Sequence, residues 1–387
     1  MAIDGLSFPP AALPPESEAL RAEVRAFLAE ERASGGFEPI CDSWMSGWSP
    51  EFSRKLGARG WLGMVWTKEY GGHERSPLDR FVVSEELLAA GAPVSAHWIA
   101  DRQSGPLILR FGTEEQRRDI LPRIARGEAY FAIGLSEPDS GSDLASIRTA
   151  MTRENGRWVL NGRKIWSSGA HMADYMIALV RSAPPDPQNR HAGMSQILLD
   201  LKNTPGLSMR PIHILTGAHH FNEVTFEDVE IADDQIIGEV GQGWAQVTDE
   251  LGYERSGPER FLSTFPLVTA LVDKLRHHDD PAKRAVAGRL VAQLWAMRQM
   301  SVRVVGMLAA GEMPNVEAAV VKDMGTRFER ESVDIVRGVL AERPATDSDD
   351  PFARRLAEAI LHSPGYTLRG GTNEILRGII AKGMGLR

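Results

Sequence analysis

The chain has 387 residues, 43% hydrophobic and 25% charged, with a formal net charge of −8. That length is enough for two or three packed domains, and the composition is ordinary for a soluble globular protein. The acidic balance argues against a nucleic-acid or anionic-membrane surface, and the lone cysteine, Cys41, excludes an intrachain disulfide.

The first twenty residues carry acids and four prolines, where a secretory leader needs a basic start and an apolar run. No apolar run is long enough to span a bilayer, so a cytoplasmic location is expected. The first predicted helix is Glu16–Arg32, with Leu20, Val24, Phe27 and Leu28 on one face, opened by Pro14-Pro15 and closed by Ser34-Gly35-Gly36. Ser49-Pro50-Glu51 starts another, with Pro at the first helical position. Trp61–Gly72 reads as irregular. Helices follow at Arg80–Ala90, Pro106–Phe111 and Thr113–Ala125, the last with Thr113 and Gln116 as a capping box. Residues 1–128 therefore form a helical domain.

From about Tyr130 the pattern becomes that of short strands: Arg157–Leu160, Lys164–Trp166, Tyr175–Val180, Gln196–Leu201, Leu207–Ile212 and Glu223–Val229. Residues 129–237 are expected to be a small β-domain. From Gly243 the helical period returns. Lys283–Leu308 places Val286, Leu290, Leu294, Met297, Val304, Val305 and Leu308 at three- and four-residue spacing, and Ala318–Leu340, Pro351–Leu361 and Glu374–Met384 follow. Residues 238–387 are thus a helical bundle. The fold class is α+β and mostly helical, in the order helical, β, helical.

The stretch Phe131–Gly169 holds the most chemistry. Leu135–Leu144 reads LSEPDSGSDL, rich in Ser and Gly and free of β-branched residues from Ser136 to Asp143, so its backbone can come close to a ligand. Trp166-Ser167-Ser168 sets a large aromatic beside two hydroxyls, a combination able to cover a planar ring and hydrogen-bond its edge. Asn161-Gly162 predicts a type I′ hairpin turn that folds Trp166 and Ser168 back toward Ser136. A buried core Trp with solvated serines in an ordinary β-domain is the other reading of these residues.

LSEPDSGSDL followed by KIWSS resembles the flavin signature of the acyl-CoA dehydrogenase family. The resemblance runs over almost the whole chain, through Trp61–Gly72, Phe111–Glu128, Gly241–Val247 and Gly370–Gly385. It implies a three-domain flavoprotein with FAD held between the β-domain and the C-terminal bundle. It implies further that Ser136 bonds the pyrimidine edge, Trp166 covers the isoalloxazine and Ser168 lies near the reactive N5. Ile133, Leu135, Ser142, Thr372 and Glu374 are implied as further cofactor-binding positions, and Ser142, Tyr253 and Arg255 as substrate-binding ones. The implied reaction is α,β-dehydrogenation of an acyl-CoA thioester, with electrons passing to electron-transfer flavoprotein.

That chemistry needs one carboxylate in a dry pocket to take the α-proton. At the commoner family position, just before the Gly-Thr of the C-terminal motif, this chain has Gly370, which cannot act as a base. The family's other position, before an Arg on the first helix of the C-terminal domain, matches Glu254. Glu259-Arg260 lies five residues on, roughly 140° further round a regular helix, so it cannot share the same face. Pro258 is expected to loosen the helix there. A solvated Glu-Arg ion pair is the ordinary reading of such a dipeptide.

The chain departs from the family where homotetrameric members complete a neighbour's flavin site. The Arg-x-x-Phe-Gly motif is missing from Lys274–Ala287, and the Gln-x-x-Gly-Gly-x-Gly-Tyr motif from Val336–Ala345. A homo-oligomer, dimer or tetramer, and a hetero-oligomer with a related subunit both stay open. A non-catalytic or half-site subunit and an oxidase of the same fold are the alternatives for function. His219, His220, His277 and His278 lack a metal-ligand pattern, so no metal is expected. Arg102 could meet a polar substrate group, although an ion pair with Asp101 or Glu114 is the plainer expectation.

Overall fold

The computed structural model describes the backbone of residues 6–254 and 257–386, and the side chains of these apart from 249–254. Its contacts divide the chain into two compact units. One comprises Met1–Gly47, Arg75–Val94 and Gly252–Arg387; the other comprises Trp48–Glu74 and Ser95–Leu251.

The second unit is a sheet backed by short helices. Its strands are β1 (Phe131–Gly134), β2 (Ala150–Glu154), β3 (Arg157–Ser168), β4 (Tyr175–Arg181), β5 (Met194–Asp200), β6 (Leu207–His213), β7 (His219–Ile231) and β8 (Ile236–Ile237). They lie in the order β6-β7-β3-β2-β4-β5-β8, with β1 running parallel to β4. β4 and β5 are buried on both faces. Their cross-strand pair Ile177 and Leu198 packs with Trp66, Leu107, Ile120 and Phe131, while Met176, Ala178, Ile197 and Leu199 pack with Leu160, Val224 and Phe226.

Local signals fix the helices of this unit. Ser49 Oγ accepts from Phe52 N at 3.2 Å to start Pro50–Ala58. Thr113 and Gln116 close both bonds of the capping box, at 3.1 and 3.0 Å, ahead of Glu114–Ala125. A Cβ on Gly105 would stand 2.3 Å from the Trp66 ring, so glycine lets the helix Gly105–Phe111 approach the indole.

The hairpin turn lies elsewhere than the sequence suggests. β3 runs unbroken through Asn161-Gly162, and the turn is Asn155-Gly156, with φ of 50° and 86°, joining β2 to β3. Both dipeptides suit a type I′ turn. The choice falls to the one that leaves Trp158 and Leu160 buried and β3 paired on both edges, with β2 on one side and β7 on the other. Asn161 instead exchanges two hydrogen bonds with Asp228, at 2.9 and 3.0 Å, across a register shift in the β3–β7 ladder.

The first unit is a helical bundle containing Pro15–Ala33, Pro77–Ala89, Phe265–Leu275, Pro281–Ala309, Asn315–Val339, Pro351–His362 and Asn373–Gly383. The apolar stripe on Pro281–Ala309 is buried at Leu290, Leu294, Met297, Val304 and Val305. Phe265–Leu275 has no counterpart in the sequence reading. A network of charges joins three of the helices: Arg21 pairs with Glu85 at 2.8 Å and with Glu86, Arg25 with Glu86 at 2.7 Å, and Arg298 with Glu85 at 2.6 Å. Among the described residues, no helix is long and apolar enough to cross a membrane.

Candidate functional site

Trp166 carries the clearest mark of a site. It has φ +62°, a conformation that a bulky side chain adopts only at a cost, and it is 55% exposed. The cause is a bulge. From Lys164↔Val224 to Ser167↔Asn222, β3 advances three residues while β7 advances two. Regular alternation would set Trp166 on the same face as Lys164, which is fully buried. The extra residue turns the indole outward and Ser167 inward, and bulges re-aim side chains in this way. The ring makes a T-shaped contact with Phe221, with centroids 5.6 Å apart. A strained tryptophan that is half exposed has aromatic surface available to a ligand.

The loop after β1 is bound to this bulge. Ile165 N donates to Ser136 O at 2.9 Å, so Ser136 and the Trp166 segment meet as expected, through a strand contact rather than a turn at Asn161-Gly162. Lys164 Nζ donates to Leu135 O at 3.1 Å and pairs with Glu137 at 2.8 Å. Glu137 also accepts from Arg148 N at 2.6 Å and Thr149 N at 3.0 Å. One buried carboxylate thereby ties both ends of the loop 137–149 to β3. Burial pushes the Lys164 ammonium down to about 8, partly offset by Glu137. For Glu137, burial is outweighed by Lys164 and the backbone donors, which hold the carboxyl below its usual range.

Ile133 on β1 and Leu135 and Ser136 in the loop are half-buried, while Ser142 is exposed. Leu135 packs with Ala145, Ile147, Leu179, Met194, Val247 and Trp244. Ser168 is half-buried and registers with Phe221. A cavity of ≈ 510 Å³ opens beside the loop, lined by Glu137, Asp139, Arg148, Thr149, Arg163 and Glu227 among others. Ser136, Trp166 and Ser168 do not line it.

In the helical unit, Thr372 caps the last helix, its Oγ1 accepting from Ile375 N at 3.5 Å. Glu374 is exposed, and its carboxyl is held low by its own backbone N–H and by Thr372. Gly370 and Gly371 have φ of +65° and +88°. A Cβ on Gly370 would stand 3.0 Å from both terminal nitrogens of Arg260, which is fully buried. Glu259, far from solvated, is buried beside Arg260 at 3.6 Å, in the short 3-10 turn Pro258–Arg260. Glu254 and Tyr253 close the helix Gly243–Glu254, but their side chains, and Arg255 as a whole, lie outside the described residues.

Residues that the sequence did not single out hold this end of the bundle. Arg369 donates to both oxygens of Asp42, at 2.6 and 2.7 Å, and to Ser263 Oγ at 2.8 Å. Its guanidinium lies over Trp44, 4.3 Å from the ring centroid. Glu329 accepts from Ser263 N at 2.7 Å and lies 3.7 Å from Arg369. Burial raises its carboxyl to about 7 despite Arg369. Asp42 and Arg369 are 327 residues apart, and only the position of Arg369 beside the Gly-Gly-Thr motif could have drawn attention to it.

Arg102 is half-buried with its guanidinium 4.8 Å from the Trp98 ring centroid, and Asp101 accepts from Gly63 N at 2.7 Å. His219 stacks on His171 at 3.6 Å. Among the described residues, no group of three or more His, Cys, Asp or Glu could hold a metal ion.

The chain is similar to known proteins over nearly its whole length. Models of the acyl-CoA dehydrogenase N-terminal, middle and C-terminal domains match residues 14–128, 132–229 and 273–385. The acyl-CoA dehydrogenase FadE29 of Mycobacterium tuberculosis is 31% identical over 388 residues, covering 95% of this chain and 96% of that protein. The acyl-CoA dehydrogenase IpdE1 of the same organism is 33% identical over 384 residues, covering 94% and 96%. Among solved structures, the Tcur3481-Tcur3483 steroid ACAD is 30% identical with a TM-score of 0.84, covering 97% of this chain and 98% of that one. The ChsE4-ChsE5 complex from Mycobacterium tuberculosis is 29% identical with a TM-score of 0.81, covering 96% and 97%.

Proposed function

This chain belongs to the acyl-CoA dehydrogenase family and is an FAD-dependent oxidoreductase acting on acyl-CoA, and we propose that it introduces an α,β double bond with Glu254 as the base. The observation that carries the flavin reading is the bulge that turns Trp166 outward beside Ser136. FAD, when bound, supplies the hydride acceptor.

The residues of the β-domain suit that cofactor. Trp166 offers exposed aromatic surface in a strained backbone setting. Ser136 and Ser168 are half-buried hydroxyls on the two segments joined by the Ile165–Ser136 bond, placed to donate to and accept from a ring edge. Ile133 and Leu135 back the loop with apolar surface, and exposed Ser142 is left for phosphate or thioester groups. Thr372 and Glu374 at the start of the last helix are proposed as further cofactor contacts, and Tyr253 and Arg255 as substrate contacts beside the base.

Glu254 takes the α-proton in this reading, and the surroundings of Gly370 support it. A carboxylate at 370 would meet the Arg260 guanidinium, which would hold it ionised and weaken it as a base. Glu259 is already committed to the interior beside Arg260.

The relatedness to a steroid ACAD supports a CoA thioester of a steroid-derived acid as substrate, and the family supports electron-transfer flavoprotein as acceptor. The three matched segments support domains at residues 1–128, 129–237 and 238–387. The lack of the usual trans motifs, together with the ChsE4-ChsE5 complex among the structural relatives, favours a hetero-oligomer with a related subunit. A homo-oligomer, dimer or tetramer, is the second reading.

The test is the visible spectrum and native mass of the purified full chain, followed by dye reduction with steroid side-chain and straight-chain CoA thioesters. A yellow protein that reduces dye faster than it consumes oxygen is expected. A protein that neither binds flavin nor turns over acyl-CoA, alone or with a related subunit, would sink the reading, and oxygen consumption equal to dye reduction would make it an oxidase.

A further inference from the structure

Asn222 on β7 is fully buried, and its side chain bonds the backbone of the bulge. Its Nδ2 donates to Ser167 O at 3.1 Å and lies 3.1 Å from His171 Nδ1, while its Oδ1 lies 2.8 Å from His219 Nε2. The Ser167 carbonyl can only accept, so the amide's orientation is settled: NH2 toward Ser167 and His171, carbonyl toward His219. His171 Nδ1 is then an acceptor and His219 Nε2 a donor, and the two rings stack at 3.6 Å and 15°. Ser167↔Asn222 is also the first ladder pair after the extra residue of the bulge, and Gly169 N donates to His220 O at 2.9 Å just beyond it.

A tryptophan at φ +62° stays there only if its surroundings over-determine it. The ladder alone does not, because a bulge leaves its extra residue unpaired. The Asn222 amide supplies the missing constraint one residue on. We propose that Asn222, oriented by His171 and His219, is a positioning residue that holds the Trp166-Ser167-Ser168 segment in the geometry needed to bind flavin. The proposal rests on the reading of Trp166 and Ser168 as the flavin-facing edge. Asn222 itself touches neither cofactor nor substrate; it acts through the Ser167 carbonyl.

The test uses the full chain and two variants. Asn222→Leu removes all three polar contacts at similar volume. His171→Ala removes one partner of the amide from an exposed position and spares the buried core, so it serves if Asn222→Leu does not fold. Amide hydrogen exchange of Ile165–Gly169 is measured on flavin-free protein, with β4 and β5 as internal reference, and FAD retention is measured on loaded protein by equilibrium dialysis. Exchange at Ile165–Gly169 is expected to rise at least tenfold in Asn222→Leu and less in His171→Ala, with β4 and β5 unchanged, and FAD is expected to bind at least tenfold more weakly. Unchanged exchange in the bulge overturns the positioning role. A loosened bulge with unchanged FAD retention overturns its link to the cofactor. A wild-type chain that binds no flavin while Asn222→Leu still loosens the bulge overturns that link too, through the proposed function itself, and leaves Asn222 as a purely structural clamp.

Discussion

Arg260 fills the space in front of Gly370: both its terminal nitrogens stand 3.0 Å from where a Cβ on that glycine would lie. Gly370 also has φ +65°, which disfavours any side chain. Gly370→Glu is therefore expected to lose roughly 1–2 kcal/mol of stability, and its carboxylate, paired with Arg260, is expected to be a poor base. In a Glu254→Gln background it should restore no dye reduction. Recovery of more than a few per cent of turnover would show that position 370 can still serve.

Glu254→Gln keeps the shape of the side chain and removes its basicity. Turnover is expected to fall on the order of 10²–10⁴-fold, the range for loss of a general base, with FAD content unchanged. Steady-state dye reduction together with the 450 nm absorbance checks both halves. Near-normal turnover would move the base elsewhere.

Trp166 sets local stability against ligand contact. Trp166→Gly removes the positive-φ strain, so flavin-free protein is expected to keep its unfolding free energy or gain slightly, by about 1 kcal/mol, while FAD retention drops. Trp166→Ala should lose FAD without the gain. Unchanged flavin content after dialysis of either variant would make Trp166 no more than a surface residue.

Lys164→Met leaves the Glu137 carboxylate buried without its cation. Breaking one side of a buried pair costs about 3–5 kcal/mol. The loop 137–149 should loosen, because Glu137 ties Arg148 N and Thr149 N to β3. Chemical denaturation reads the stability loss, and proteolysis within 137–149 reads the loop. A loss under 1 kcal/mol would mean that the carboxylate finds another partner.

Glu329 should make stability depend on pH. Burial raises its folded carboxyl to about 7, above the ordinary 4.5, so the folded chain holds this proton more tightly than the unfolded one. The stability it contributes is complete below about pH 4.5 and is lost as pH rises to about 7. Glu329→Gln removes that loss. Relative to the wild type it should gain roughly 2–3 kcal/mol between pH 4.5 and pH 8, read from urea unfolding at both pH values. A difference that does not change with pH would mean that Glu329 ionises like an exposed carboxyl.

Much of this protein was legible because the signals are local. Ser49-Pro50 and the Thr113–Gln116 box start helices through bonds that span only three residues, and the stripe from Leu290 to Val305 repeats with the helical period. The grouping of Ser136, Trp166 and Ser168 was legible as a motif. How they come together was not. Asn155-Gly156 and Asn161-Gly162 are the same dipeptide, and only the pairing of β3 with both β2 and β7 decides which one turns. Trp166 faces outward because β3 carries one residue more than β7 at that point, a count that exists only once the two strands are in register. Asn222 holds Ser167 from 55 residues away, and Asp42 holds Arg369 from 327. Periodicity and capping depend on neighbours in sequence, so the chain by itself determined most of its helices and the helical, β, helical order, though not the helix Phe265–Leu275. The bulge, the buried charges and the space before Gly370 depend on atoms that meet only when distant segments pack, and those the tertiary structure decided.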